Sequence, residues 1–335
     1  MLKLAVLSPV AWRTPPRHYG PWEQVASNIA EGVKALGVDV TLFATGDSLT
    51  SGKLEYICDI GYEEDKTVDA KVAECMHISY LMERAGEFDL IHNNFDFLPL
   101  TWSRLIETPM VTTIHGFSSE RILPVYRRYN DSTCYVSISN SDRSPLLDYI
   151  ATVYNGIRKD DFDFNGTPGD YLLFFGRIHH EKGTHEAIEI ARKSGRRLII
   201  AGIVQDESYF REKVEPYIDG DQVVYLGSAG PEKRNELLGG AFALLHPVNF
   251  DEPFGLSVAE SMFCGTPVIA FNRGSMPELI KDGMTGYLAG SVGEACERLS
   301  DIPAIDRSYC RQWAEDNFSM EKMAADYLEV YKKIV

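Results

Sequence analysis

The sequence is short of positive charge. Lys and Arg number 33 against 49 Asp and Glu, a formal net charge of -16 over 335 residues. A field of that sign repels nucleic-acid phosphates and anionic headgroups, so neither is expected as a bulk partner. A small anion would need a local pocket that opposes the overall field. No apolar run approaches the ~20 residues that cross a bilayer, so no stable membrane insertion is expected. The opening run Met1-Leu2-Lys3-Leu4-Ala5-Val6-Leu7 is broken by Ser8-Pro9, too soon for the apolar core of a leader. The six cysteines (Cys58, Cys75, Cys134, Cys264, Cys296 and Cys310) contain no CxxC pair, which fits reduced thiols and a cytoplasmic location. The segment from Gly37 to Gly46 lacks the spacing and the lysine of a phosphate-cradling loop. No Ser-His-Asp set is recognisable. His180-Glu181 followed by His185 is one residue too long for the HExxH zinc helix.

What is present is a chain long enough for two domains, with 44% hydrophobic and 11% aromatic residues to fill two cores. Short apolar runs alternate with longer amphipathic ones, as parallel strands joined by helices do. In the first half the strand-like runs are 2–7, 38–44, 90–92, 111–115, 134–138 and 151–154, with helices over 22–36 and 68–84. A polar, Gly- and Pro-bearing stretch at 158–169 reads as a linker. The alternation restarts with strands at 171–175, 197–201, 223–226, 243–246 and 268–271, and helices over 184–193, 207–217, 232–238 and 256–264. From 304 onward only helices are expected. The domains are therefore 1–157 and 170–315, each a doubly wound α/β layer, with a last segment at 316–335.

The densest chemistry lies in Glu252-Pro253-Phe254-Gly255-Leu256-Ser257-Val258-Ala259-Glu260. It follows a strand and opens a helix, placing Glu252 in the loop and Glu260 one to two turns into the helix. One carboxylate can then face a cleft while the other binds a diol such as a ribose. On spacing alone, two ordinary surface glutamates read equally well. The amides that open the helix after Phe254-Gly255 suit an anion, as do those around Gly274-Ser275-Met276. Arg177 lies just past an apolar strand. Lys182 lies near a helix start, where an uncompensated cation opposes the dipole and points to a bound anion. The bland reading of Arg177 and Lys182 is a solvated basic pair beside Glu181. His115 ends a strand before Gly116, and its bland reading is a core or capping histidine.

The stretch 251–260, continued by Ser261-Met262-Phe263-Cys264-Gly265-Thr266-Pro267-Val268-Ile269-Ala270, resembles the EX7E region of family 4 (GT4) retaining glycosyltransferases of the GT-B fold. Thr113-Ile114-His115-Gly116, Tyr154-Asn155-Gly156-Ile157, Phe175-Gly176-Arg177 with Lys182-Gly183, and Gly274 through Pro277-Glu278-Leu279-Ile280 follow in that family's order. The resemblance implies two Rossmann-like domains facing each other across a cleft, with a final helix crossing back to the first. It implies Glu252 against the donor sugar and Glu260 on the nucleotide ribose. Arg177 and Lys182 would hold the diphosphate without a metal, and His115 would meet the sugar's hydroxyls. The base would lie against backbone near Leu226-Gly227-Ser228, and the phosphates near Phe254, Gly255 and Leu256.

The reaction so implied moves a hexose from a nucleotide diphosphate sugar, a co-substrate rather than a cofactor, to a hydroxyl of a small molecule or glycan. UDP-glucose stands first among donors and GDP-mannose second. An epimerase of the same fold and an inactive sugar-nucleotide-binding module are the rivals. Oligomeric state leaves no mark in the sequence. One departure stands out: the family's glycine pair after the first strand is Gly20-Pro21 here, and Pro21 has no N–H to offer a phosphate, though it suits the first turn of a helix. Acceptor contacts are expected from loops 11–19, 93–97 and 117–121. Asp161-Phe162-Asp163 and Asp219-Gly220-Asp221 match a metal-binding DxD pattern that is near chance in so acidic a chain, so no metal ligands are expected.

Overall fold

The computed structural model describes residues 1–116 and 120–335. The chain forms two compact units, Met1–Gly156 with Met320–Val335, and Ile157–Ser319. The first unit runs β1 (Lys3–Leu7), α1 (Pro21–Ala35), β2 (Asp39–Phe43), β3 (Lys53–Glu55), α2 (Ala70–Met82), β4 (Leu90–Asn93), β5 (Met110–Ile114), α3 (Leu123–Arg128), β6 (Cys134–Ser137) and β7 (Tyr149–Thr152). Its seven strands are parallel in the order β3-β2-β1-β4-β5-β6-β7. β4 and β5 are buried at every position, which is why neither shows the alternation of a half-exposed strand. α1 starts where Pro21, pre-set for a helix and lacking an N–H, takes its first turn, and it buries Val25, Ile29 and Val33.

The second unit runs β8 (Tyr171–Phe175), α4 (Thr184–Ser194), β9 (Arg197–Ala201), α5 (Glu207–Tyr209), β10 (Val223–Tyr225), α6 (Pro231–Gly240), β11 (Ala243–His246), α7 (Leu256–Phe263), β12 (Val268–Phe271), α8 (Met276–Leu279), β13 (Gly286–Ala289), α9 (Val292–Arg298) and α10 (Arg307–Phe318). The six strands are again parallel, ordered β10-β9-β8-β11-β12-β13. In both sheets the order reverses beside the unit's first strand, between β1 and β4 and between β8 and β11. Ligands of doubly wound sheets bind beyond the strand ends at that reversal.

Three expectations need correction. The helix expected over 207–217 begins as α5, widens into a π turn at Phe210–Val214 and tightens into a 3-10 turn at Glu215–Tyr217. Pro216 has no N–H for the carbonyl four residues back, so a regular helix cannot run through it. The strand expected at 151–154 pairs two residues earlier, through an irregularity beside Tyr135 and Val136. The stretch 158–169 belongs to the second unit and is no linker. Phe162 is buried, Asn165 N–H donates to the Cys264 carbonyl at 3.0 Å, and Arg307 Nε donates to the Asn165 carbonyl at 2.7 Å. Its polar backbone is satisfied by arginines about 140 residues away in the chain, which local composition cannot reveal.

The last helix, α11 (Met320–Ile334), belongs to the first unit and buries Met323, Ala324, Tyr327, Val330 and Tyr331. Ser319 separates it from α10, so the segment expected as 316–335 is the end of one helix and the whole of another. Under α11, His92 Nδ1 bonds Tyr331 Oη and Nε2 bonds Thr113 Oγ1, both at 2.7 Å, and Thr113 Oγ1 bonds Tyr327 Oη at 2.8 Å. Among the described residues no helix is long and apolar enough to cross a membrane.

Candidate active site

In the second unit, the loops that follow β8 and β11 leave the sheet at its reversal and are locked to each other. Gly183, with φ 74°, closes the first loop. A side chain there would stand 1.8 Å from the Pro247 carbonyl oxygen, so only glycine permits the approach. Asn249 N–H donates to the Glu181 carbonyl at 2.6 Å, and Asn249 Nδ2 donates to Glu186 Oε1 at 2.8 Å. The second loop is clamped from behind by Gly274-Ser275. A Cβ on Gly274 would lie 2.3 Å from Glu252 N, while Ser275 N–H donates to the Glu252 carbonyl at 2.9 Å and Ser275 Oγ to the Phe254 carbonyl at 2.7 Å.

This framework brings Lys182 and Glu252 together, 70 residues apart in sequence, as a charge-assisted hydrogen bond from Nζ to Oε2. Glu252 is 7% exposed, and Lys182 also lies 4.7 Å from the centre of the Phe250 ring. Burial alone would raise the Glu252 pKa. The Lys182 charge and the neighbouring His246, whose Nε2 is 3.3 Å from Oε2, outweigh it and bring the carboxyl down to about 2. Lys182 is thus not the uncompensated cation expected from its place near a helix start, because its partner comes from a different loop. Arg177 donates to Gln205 Oε1 at 2.5 Å and pairs with Glu181 at 3.3 Å. The solvated reading of the basic pair therefore fits Arg177 in part and Lys182 not at all.

Glu260 lies inside α7, buried, and pairs with Arg234 at 3.1 Å, whose guanidinium sits 4.6 Å from the Phe162 ring centre. The helix that carries it starts at Leu256 behind Gly255, which takes φ 91°, and Phe254 is buried beneath. Leu226 and Gly227 close β10; Leu226 is exposed, and the Gly227 carbonyl accepts from Gly202 N–H at 2.8 Å. Among the described residues one group of side chains has metal-ligand character: His179, His180 and Asp206, whose ligand atoms lie within 4.8 Å of one another. Asp206 already caps the helix at Tyr209 N (3.0 Å) and meets His180 Nδ1 at 3.2 Å, so the group is satisfied as it stands. Neither DxD run forms such a group. Asp163 is tied to Asn235 at 2.7 Å, and Asp219 accepts from Asp221 and Val223 N–H at 2.9 Å.

The first unit offers a neutral counterpart at its own reversal. His115 follows β5 by one residue, and its Nε2 lies 3.0 Å from Asn94 Oδ1 at the end of β4. Its ring stacks on Trp22, with centroids 6.0 Å apart and planes at 27°. Burial pulls the imidazole down to about 3, so it is neutral at ordinary pH. Gly20 caps α1 with φ 154°, where a side chain would press on Pro16 at 2.9 Å. Sequence reasoning named Asn94 only within the acceptor loop 93–97 and passed over His246 and Arg234. Asn94 and His246 had a readable signal, a polar residue where an apolar strand ends; Arg234 had none. Of the expected acceptor loops, Phe117, Ser118 and Ser119 lie outside the described residues.

Comparison with known proteins agrees with this layout. The sequence model of the family described as "Glycosyl transferases group 1" matches residues 158–306, nearly all of the second unit. An uncharacterized glycosyltransferase of Methanocaldococcus jannaschii is 23% identical over 96% of this chain and 97% of its own. Among solved structures, sucrose-phosphate synthase of Thermosynechococcus elongatus superposes with a TM-score of 0.80 at 18% identity, covering 100% of this chain and 99% of that one. Anabaena HepE, solved in complex with UDP and glucose, gives 0.75 at 19% identity over 99% and 100%. The second unit thus carries a region matched by the group 1 glycosyltransferase model, and the chain as a whole shares the GT-B fold of solved glycosyltransferases.

Proposed function

We propose that this glycosyltransferase is a GT4-type retaining enzyme that moves a hexose from a nucleotide diphosphate sugar to a hydroxyl acceptor without a metal. UDP-glucose is the favoured donor and GDP-mannose the next. The observation that carries the reading is the buried Lys182–Glu252 pair at the reversal of the second sheet. A cation held there by one carboxylate can exchange it for a phosphate oxygen, freeing the carboxylate for a sugar hydroxyl. With its pKa near 2, Glu252 remains ionised at neutral pH. It then accepts hydrogen bonds and gives no proton, which suits an orienting group rather than a general acid.

In the proposed reaction the bond between the anomeric carbon and the diphosphate oxygen breaks. Lys182, Arg177 and the first amides of α7 take up the charge that develops on the leaving group. The acceptor hydroxyl attacks from the face the diphosphate leaves, forming the new glycosidic bond, and its proton passes to the departing phosphate. Glu260 is assigned to the ribose, with Arg234 holding its second contact in place. Backbone at Leu226-Gly227 is assigned to the base. That HepE was solved with UDP and glucose supports the choice of UDP-glucose.

A melting-temperature screen against UDP, GDP and ADP tests the donor. UDP should stabilise most, by about 2.7 kcal/mol at a hundredfold excess over its Kd, with or without chelator. A shift that vanishes in chelator and returns with manganese overturns the metal-free reading. An NMR spectrum of the first-formed product should show the donor's anomeric configuration; the opposite anomer overturns retention.

A further inference from the structure

In the second unit the loops after β8 and β9 are laced together by their backbones. Ile178 N–H donates to the Ile203 carbonyl at 2.8 Å, and the Ile178 carbonyl accepts from Gln205 and Asp206 N–H at 3.1 and 3.2 Å. The lacing holds Asp206 beside the two histidines that follow Ile178. Successive side chains of an extended chain point to opposite faces. The rings of His179 and His180 nevertheless lie 4.2 Å apart, tilted by 36°. The cause is local: His179 is extended, at φ -151° and ψ 147°, and a 3-10 turn that begins at His180 swings its ring back beside its neighbour's. Lys182 N–H on the His179 carbonyl at 2.9 Å and Asn249 N–H on the Glu181 carbonyl at 2.6 Å pin that turn.

The three side chains have the donor set and nearly the spacing of a metal site. His180 Nδ1 meets Asp206 Oδ2 at 3.2 Å, and one ligand atom from each residue lies within 4.8 Å of the others. Zinc bound at about 2.0–2.1 Å sets its ligands about 3.3 Å apart in a tetrahedron. The His180–Asp206 pair already has that spacing, and His179 has at most about 1.5 Å to close. Asp206 Oδ1 is fixed by Tyr209 N–H at 3.0 Å, which aims Oδ2 at the rings. The ring–carboxylate hydrogen bond satisfies both groups without an ion. A metal takes the place of that bond, and the neutral imidazole carries its proton on Nε2 instead. The His180 side chain is 62% exposed, so the site opens to solvent. Two imidazoles with one carboxylate suit zinc and its neighbours, whereas calcium and magnesium prefer oxygen ligands alone. The net charge of -16 favours a cation. His185 points elsewhere, with Nδ1 on the Lys213 carbonyl at 3.0 Å.

We propose that His179, His180 and Asp206 form a zinc site that clamps the loop after β8 to the loop after β9. The site stands apart from glycosyl transfer and is independent of the donor reading. What it braces is the contact of Arg177 with Gln205, since Arg177 precedes His179 by two residues and Gln205 precedes Asp206 by one.

The test uses the full chain, stripped with a chelator and dialysed. Calorimetric titration with zinc chloride should show one equivalent bound, unmoved by excess magnesium. Asp206→Asn, which keeps the capping oxygen, and His180→Asn should each weaken zinc binding by at least about tenfold. His185→Asn should leave it unchanged. In 1H–15N spectra of 15N-histidine-labelled protein, two of the eight histidines should respond to zinc, and His179→Asn and His180→Asn should identify them. If Asp206→Asn melts below wild type without metal, His180→Asn, whose ring is exposed, carries the comparison alone. No zinc bound, or zinc bound equally by wild type and these variants, overturns the site. Competition by magnesium overturns the choice of metal, and a response at His185 in place of His179 and His180 overturns the choice of ligands.

Discussion

The two units reverse their strand order at the same place and put opposite chemistry there. The second unit gathers ions: Lys182 with Glu252, Arg177 with Glu181, Arg234 with Glu260. The first gathers neutral groups: His115, Asn94 and Trp22. A diphosphate carries charge and demands cations, whereas a sugar presents hydroxyls and demands paired donors and acceptors. The architecture is common to both units, and the loops decide which ligand each can take.

The sharpest way to break this contrast is to remove the ions. Lys182→Ala should lower kcat by about 10²–10³-fold in a steady-state transfer assay, the usual loss when one stabiliser of a leaving group is deleted. His115→Gln should instead spare the affinity for bare nucleotide. Equal effects on nucleotide affinity from both would erase the distinction between the units.

Acid should sharpen the contrast next. His77, His92 and His115 are held neutral by burial, at about 4, 3 and 3 against an ordinary 6.5. A depressed histidine costs stability as pH falls below its unfolded value, because only the unfolded chain takes the proton. Glu23 and Asp96 in the same unit run the other way: burial raises them to about 7 and 6, so the folded state gains protons there and offsets the histidines. Below about pH 4.5 the offset from the carboxyls fades, and the histidines cost about 4 kcal/mol per pH unit until His77 takes its proton near 4, then about 3 kcal/mol per unit from His92 and His115. The second unit's Glu252, lowered from 4.5 to about 2, loses its contribution over that range at about 1.4 kcal/mol per unit. Hydrogen exchange at pH 3.5 should find the first unit open before the second. The reverse order would mean that the histidines are not what limits it.

A smaller effect separates packing from chemistry. Tyr331→Phe removes the partner of His92 Nδ1 and should cost the first unit about 1–3 kcal/mol in a denaturant titration, with nucleotide affinity unchanged. A loss of nucleotide binding in that variant would show that the network reaches beyond the core.

The contrast also explains what could be read in advance. The strands of the second unit were legible because β8, β9, β11 and β12 are continuous apolar runs with turn residues at their ends. That Glu252 falls in a loop and Glu260 in the helix after it was legible because that placement is local; spacing alone did not reveal that both are buried. What escaped depends on partners far along the chain. Lys182 looked uncompensated because Glu252 is 70 residues away. Residues 158–169 looked like a tether because the arginines that satisfy them lie in α10.

The path of the chain has a consequence for synthesis. α11 completes the first unit, yet its codons are translated after the whole second unit. On the ribosome the Ile157–Ser319 unit can close while its predecessor waits, with the ring of His92 still missing the phenol that later satisfies it. Residues encoded first therefore reach their final form last, and a stop within the codons of α11 would damage the unit translated before Ile157.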